Sequence, residues 1–334
     1  MNNFILVTGG TGFIGSHTCV VLLDAGYDVV VLDNLCNSEA SVIGRIGQIC
    51  GQEPDFVEGD IRDKSLLEDL FAKYPISAVL HFAGLKAVGE SVKYPQKYHD
   101  NNVAGTSVLL SAMQNANVKS FVFSSSATVY GEPASVPITE DFPRSATNPY
   151  GDNKLQIENI LAELYQSDPA WRIARLRYFN PVGAHKSGLI GETPSGVPDN
   201  LMPFITQAAA GLRDELSVFG DNYDTPDGTG VRDYIHVVDL AQGHVAALDY
   251  LNQHQEMLTV NLGTGQGVSV LEMINTFEAV NNCKVPYRIT DRRPGDIAKC
   301  WADTQLANKL LGWKATRTLE DMCEDAWRWQ TQHP

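Results

Sequence analysis

Short, unbroken apolar runs alternate with longer amphipathic stretches through the first half of the chain. Phe4-Ile5-Leu6-Val7 stops at Thr8-Gly9-Gly10, a helical pattern follows from Ile14 to Ala25 with Gly26 as its stop, and Val29-Val30-Val31-Leu32 ends at Asp33. Continuous rather than alternating apolar runs suit strands covered on both faces, as in a parallel sheet. Strand, helix and strand within about 30 residues form a βαβ unit. The alternation continues through expected strands at 55–58, 78–82, 120–124 and 173–177 and expected helices at 65–71, 101–113 and 150–164. The pattern predicts an α/β fold with a doubly wound parallel sheet.

After Asn180 the pattern changes. Residues 181–200 hold several Gly and Pro, 220–230 form a Gly/Asp/Thr loop, and 286–296 are turn-like and basic. Tyr234–Leu240 and Leu258–Leu262 read as returns to the sheet. The expected organisation is therefore a dinucleotide-binding domain over 1–180, with returns near 234–262, and a smaller, discontinuous C-terminal substrate lobe from 181–233 and 263–334. The first part resembles the Rossmann type, whose ligands lie beyond the carboxyl ends of the strands.

Composition narrows the partners. The 334 residues are 43% apolar and 19% charged, with a formal charge of -15. That charge repels nucleic-acid phosphates and anionic membranes, so neither is an expected partner, and an anionic substrate would need local cations. Cys19, Cys36, Cys50, Cys283, Cys300 and Cys323 form no C-x-x-C pair or metal-ligand spacing, which suits reduced thiols, no metal and a cytoplasmic location. His81, His185, His236 and His244 share no ligand spacing either and read as structural. The N-terminus has no basic region, and no stretch approaches the ~20 apolar residues that cross a bilayer.

The candidate chemistry sits at the strand ends. Gly9, Gly10, Gly12 and Gly15 follow the first strand and open a helix. Glycine there permits a tight turn and close approach of backbone to a pyrophosphate, and the helix N-terminus offers free N–H groups. Asp33, ending the second strand, can accept hydrogen bonds from ribose hydroxyls and would repel a 2′-phosphate, which favours NAD over NADP. Tyr150 and Lys154 stand at i, i+4 on one helix face. A phenol titrates near 10, so an adjacent ammonium that stabilises the phenolate could make it a general base; the same spacing also occurs in purely structural helices. Ser124-Ser125-Ser126 ends a strand, where a hydroxyl could relay a proton or cap the following turn.

Taken together, T-G-G-T-G-F-I-G, S-S-S-A-T-V-Y-G and Y-G-D-N-K resemble the extended short-chain dehydrogenase/reductase family. The resemblance is closer still to its UDP-hexose 4-epimerases, through 32–38, 57–62, 81–92, 178–185, 200–203 and 227–237. It implies an isomerase with tightly bound NAD, inverting C4 of UDP-glucose and UDP-galactose through a 4-keto sugar. It implies a cofactor site of Gly9, Gly12, Phe13, Ile14, Gly15, Asp33, Asn34, Asp60, Ile61, Phe82, Ala83, Gly84, Lys86, Asn101, Ser124, Tyr150, Lys154, Tyr178 and Phe179. Tyr150 would be the base, Lys154 its partner and Ser126 the relay. Ser126, Tyr150, Asn180, Asn200, Leu201, Phe219, Arg232, Arg293, Asp296 and Cys300 would hold the UDP-sugar, the two guanidiniums pairing with phosphate. Such epimerases carry Tyr or a smaller residue just before W-A-D; Cys300 is small, which implies room for N-acetylhexosamine nucleotides unless it is merely a compact core residue. The helices near 101–113 and 150–164 would pair across a homodimer, although packing inside one monomer suits their apolar faces equally. Two other readings stay open. One is a nucleotide-sugar 4,6-dehydratase, in which an Asp-Glu pair follows the relay hydroxyl where Ala127-Thr128 stands here. The other is an inactive NAD-binding protein.

Overall fold

The apolar runs become a seven-stranded parallel sheet. The computed structural model describes residues 4–194, 196–293 and 295–333. The chain runs β1 (Phe4–Thr8), α1 (Phe13–Asp24), β2 (Asp28–Asp33), α2 (Ser41–Cys50), β3 (Asp55–Glu58), α3 (Lys64–Lys73), β4 (Ile76–His81), α4 (Val88–Lys93) and α5 (Pro95–Tyr98). A wide π turn (His99–Ala104) leads into α6 (Gly105–Asn115), β5 (Ser120–Ser126), a 3-10 turn (Ala127–Tyr130), α7 (Pro149–Ser167) and β6 (Arg172–Tyr178). Then come β7 (Asn180–Val182), α8 (Leu201–Ala209), β8 (Leu216–Phe219), β9 (Val231–Arg232), β10 (Tyr234–His236), α9 (Val237–Gln253) and β11 (Met257–Leu262). The last elements are β12 (Val268–Ser269), α10 (Val270–Asn281), β13 (Tyr287–Thr290), β14 (Lys299–Cys300), α11 (Gln305–Leu311) and α12 (Leu319–Gln332).

The sheet order is β11-β6-β5-β4-β1-β2-β3. Because successive strand residues face opposite sides, an unbroken apolar run feeds two cores. Ile5 and Val7 pack with Cys19, Val20 and Leu22 of α1 and Leu240 and Leu248 of α9. Leu6 packs on the opposite side with Leu67 of α3, Met113 of α6 and Leu161 of α7. Burying a side chain of this size contributes roughly 1.5–3 kcal/mol, so both faces of β1 reward an apolar residue along Ile5–Val7. A separate core joins Ile205 of α8, Val218 of β8, Phe277 of α10 and Met322 of α12. Ala307 and Trp313, late in the chain, pack in the first of the sheet's own cores.

One expected strand is corrected. Tyr234–Leu240 does not return to the main sheet: β10 stops at His236 and pairs with β7 in a two-stranded sheet of its own. His236 then caps α9, its ring accepting from the Val238 N–H at 3.1 Å. His236 and Asp239 interrupt the run, and Asp239 falls in the first turn of α9, where a carboxylate suits the positive end of the helix. The helix expected over 101–113 likewise begins with the π turn, whose ring size no hydrophobic period encodes.

Three wholly buried histidines give the fold a pH dependence. Burial lowers His17 and His81 to about 3 and His244 to about 4. The unfolded chain takes up these protons near pH 6.5, before the folded chain can. The histidine contribution is therefore harmless above pH 6.5 and erodes stability as the pH falls toward 4. From pH 6 to pH 5 the three together should cost roughly 3–4 kcal/mol. Urea midpoints across that range measure the effect, and a flat profile would contradict it.

Candidate active site

The glycine turn is sterically obligatory. Gly9 has φ +72°, and a Cβ there would lie 2.6 Å from the Ala83 nitrogen; a Cβ on Gly15 would lie 2.2 Å from the Gly9 carbonyl oxygen. Gly12 precedes α1 without a side-chain cap, and Phe13, Ile14 and Gly15 bring no acidic group to the first turn. The free N–H groups and positive dipole end are thus open to an anion. Asp33 is buried at the end of β2. Its carboxylate accepts from Thr11 N–H at 3.1 Å and Leu35 N–H at 2.9 Å, tying the glycine turn to the loop after β2. Asn34 donates to Asp60 at 3.0 Å. Asp60 also accepts from Arg62 Nε and Nη2 at 2.8 and 2.7 Å, which holds its carboxyl well below the usual range. Ile61 is buried in the core beneath.

The loop after β4 rides on β1, Phe82 and Ala83 donating to the Thr8 carbonyl at 2.9 and 3.0 Å. Beyond Gly84 it is held by Asn102 of the π turn, whose amide accepts from Leu85 N–H at 2.8 Å and donates to the Leu85 carbonyl at 3.0 Å. Asn101 donates to the same amide oxygen at 3.0 Å. Glu192 accepts from both Lys86 (2.9 Å) and Asn200 (2.6 Å). Asn102 and Glu192 escape sequence reasoning; two adjacent asparagines within a helical pattern were the available signal for the first, and none existed for the second.

The Tyr150 pair stands at the start of α7. Asn148 caps the helix by accepting from Gly151 N–H at 2.9 Å, and Pro149 supplies the first turn. A Cβ on Gly151 would lie 3.0 Å from the Thr128 carbonyl oxygen, so glycine lets α7 close onto the turn after β5. Ser91, also missed in the sequence, accepts from Tyr150 N–H at 3.3 Å. Lys154 is buried, donates to the Ser124 carbonyl at 2.7 Å, and lies 5.8 Å from the Tyr150 ring centre. Ser126 accepts from Thr128 N–H at 3.2 Å, so it does cap the turn, and its hydroxyl hydrogen-bonds the Tyr150 phenol. The Ser124 and Tyr178 hydroxyls are bonded to each other. Phe179 is buried alongside, and His244 packs against Phe82 and Tyr178.

The electrostatics differ from the simple expectation. Burial pushes the Tyr150 phenol up to about 12, with the Ser126 hydroxyl acting in the opposite direction. Burial also brings Lys154 down to about 8. The same low-dielectric setting that would strengthen an ammonium–phenolate attraction penalises each charge alone.

A second group of residues lines the small-lobe side. Asn180 donates to the Asp233 carbonyl at 3.1 Å. Leu201 opens α8 directly after Asn200. Arg293 stacks over Phe219 at 4.6 Å and pairs with Asp296 at 2.9 Å. Burial pushes the phenol of Tyr234 up to about 12, against the positive charges of Arg232 and Arg293. Cys300 lies opposite Arg232 in the β9–β14 pair and is half-buried in the cluster of Val129, Tyr130 and Phe179. Its thiol is pushed up to about 11 by burial, against Arg232. No cluster of three or more metal-ligating side chains occurs among the described residues, and no described helix is long and apolar enough to cross a membrane.

Sheet order, glycine turn, acidic strand end and the Tyr150–Lys154 pair beside a serine-ended strand define an extended short-chain dehydrogenase/reductase. A family model described as GDP-mannose 4,6 dehydratase matches residues 6–326. The chain is 58% identical over 329 residues to a UDP-glucose 4-epimerase of Bacillus subtilis, spanning 98% of this chain and 97% of that one. It is 56% identical over 331 residues to a UDP-glucose 4-epimerase of Dictyostelium discoideum, spanning 99% and 96%. Among solved structures, UDP-glucose-4-epimerase from Stenotrophomonas maltophila, with bound NAD and formylated UDP-arabinopyranose, superposes with a TM-score of 0.98 at 55% identity over 99% and 98% of the two chains. That from Bifidobacterium longum, in complex with NAD+ and UDP, gives 0.96 at 54% identity over 99% of both. The chain belongs to the UDP-glucose 4-epimerase family.

Proposed function

We propose that this chain is an NAD-dependent epimerase that interconverts UDP-glucose and UDP-galactose by inversion at C4. The observation that carries the reading is the placement of Tyr150, Lys154 and Ser126 at the carboxyl end of β5, in the sheet whose glycine turn leaves α1 uncapped. The residues fit the cofactor: a cradle that any Cβ would fill, free N–H groups for a pyrophosphate, and a buried carboxylate for ribose hydroxyls. Gly9, Gly12, Gly15 and Asp33 would hold NAD, which would supply reversible hydride transfer at C4 and positive charge beside the phenol.

Tyr150 takes the C4 hydroxyl proton as the carbonyl forms and returns it when the alcohol is restored. Lys154 supplies the positive charge that favours the phenolate against burial. Ser126, hydrogen-bonded to the Tyr150 phenol, relays the proton between it and the sugar oxygen. Arg232 and Arg293 hold the UDP phosphates while the planar ketone turns between them and Tyr150. The 1–180 segment carries the cofactor and the 181–233 and 263–334 segments the UDP-sugar. Cys300 leaves room for N-acetylated hexoses. The chain works in the cytoplasm as a homodimer through the α6 and α7 surfaces; a single-chain mass by sedimentation would refute the dimer.

A dehydratase needs an added acid and base to eliminate water, and the turn after Ser126 offers Ala127 and Thr128 instead of carboxylates. Incubation with UDP-galactose and no added NAD discriminates the readings. UDP-glucose should appear without net NADH. Water loss would indicate the dehydratase, and no reaction a binding protein.

A further inference from the structure

Glu158 lies one turn beyond Lys154 on α7 and is completely buried. Its Oε1 accepts from the Ser125 hydroxyl at 2.7 Å and Arg177 Nε at 2.8 Å. Its Oε2 accepts from Arg177 Nη2 at 2.6 Å and Arg144 Nη1 at 3.2 Å. Ser125 and Arg177 are direct partners in the β5–β6 ladder, flanked by the pairs Ser124 with Leu176 and Ser126 with Tyr178. Arg177 Nη1 also donates to the Tyr130 hydroxyl and the Glu140 carbonyl, both at 3.0 Å, and Tyr130 donates to Asn261 of β11 at 2.6 Å. One carboxylate thus joins the helix that carries Tyr150 and Lys154 to the strands that carry Ser124, Ser126 and Tyr178.

The geometry points to Glu158 as a positioning residue for the reaction: clamped by Ser125 and Arg177, it fixes the rotation and register of α7 so that Lys154 reaches the Ser124 carbonyl and Tyr150 faces Ser126. Charged hydrogen bonds are short and directional, whereas the apolar contacts of Ile157 and Leu161 tolerate rotation of the helix. Glu158 is completely buried and both its oxygens are taken up by Ser125, Arg177 and Arg144, so it acts through its neighbours.

The inference rests on the epimerase reading, and wild-type turnover of UDP-galactose in the same assay separates the two. If wild type is inactive, the epimerase reading fails; if wild type and variants are equally active, only this inference fails. Glu158→Gln keeps the shape and removes the charge. The double variant Glu158→Leu/Arg177→Met removes both buried charges and spares the fold an unpaired ion. In both, kcat per folded molecule (folded fraction from near-ultraviolet circular dichroism) should fall at least about tenfold, since small misplacement of reacting groups is costly. KM and bound NAD should change much less than kcat, because the glycine turn, Arg232 and Arg293 lie outside the clamp and only the Tyr150 and Lys154 end of the site is displaced. Unchanged kcat per folded molecule in either variant overturns the inference. So does a loss that follows only the folded fraction, or one accompanied by an equal loss of KM and NAD binding.

Discussion

Tyr150→Phe should lower kcat for UDP-galactose by about 10²–10⁴-fold, the range that a positioned general base supplies. The phenyl ring keeps the packing at the start of α7 and removes only the hydroxyl, so bound NAD and KM should change little. The pH profile adds a check. Burial raises the Tyr150 phenol to about 12 in the protein alone, so the cofactor-free chain should hold it protonated through neutral pH. Loading NAD should bring the titration down, because added positive charge favours phenolate. Difference absorbance between wild type and the variant follows that phenol directly. A fully active variant, or a phenol unmoved by the cofactor, would remove Tyr150 from the role of base.

Cys300→Tyr should abolish most turnover of UDP-N-acetylglucosamine, by on the order of 100-fold, while UDP-galactose turnover stays within a few-fold. The argument is volume. Cys300 is half-buried in the cluster of Val129, Tyr130 and Phe179, and pairs across β9–β14 with Arg232. On the proposed placement of the sugar beside Cys300, a phenol here would take the space that an acetamido group needs, whereas a hydroxyl needs much less. The plain hexose serves as the internal control for folding. Equal loss on both substrates would indicate a damaged site, and unchanged N-acetyl turnover would show that Cys300 does not gate the pocket.

The sheet was legible in the sequence because each strand lies between two cores, so Phe4–Val7 and Val29–Leu32 could be read without any partner. The glycine turn and the Tyr150–Lys154 pair were legible because their chemistry needs fixed spacings along one segment. What the pattern hid depends on contacts between distant segments. Val237, Val238 and Leu240 suit either a strand or a buried helix, and their packing, with Asp239 in the first helical turn, decides. Glu158 looks like an ordinary polar position on an amphipathic helix until Arg177, 19 residues away, is brought against it. Ser91 and Glu192 meet their partners across 59 and 106 residues. The depressed phenol expected from Lys154 also failed to appear in the protein alone, because spacing conveys proximity and says nothing of how much water is excluded.

The bridge from Lys86 through Glu192 to Asn200 has a practical consequence for engineering. Glu192 and Asn200 lie eight residues apart and Lys86 lies 106 residues before Glu192, yet Lys86 and Asn200 share one oxygen of Glu192. A chimera that splices the front of this chain onto the back of a homologue must preserve all three identities at once. A crossover that brings in a neutral residue at 192 would strand an ammonium and an amide together, loosening the loop after β4 and the start of α8 at the same time.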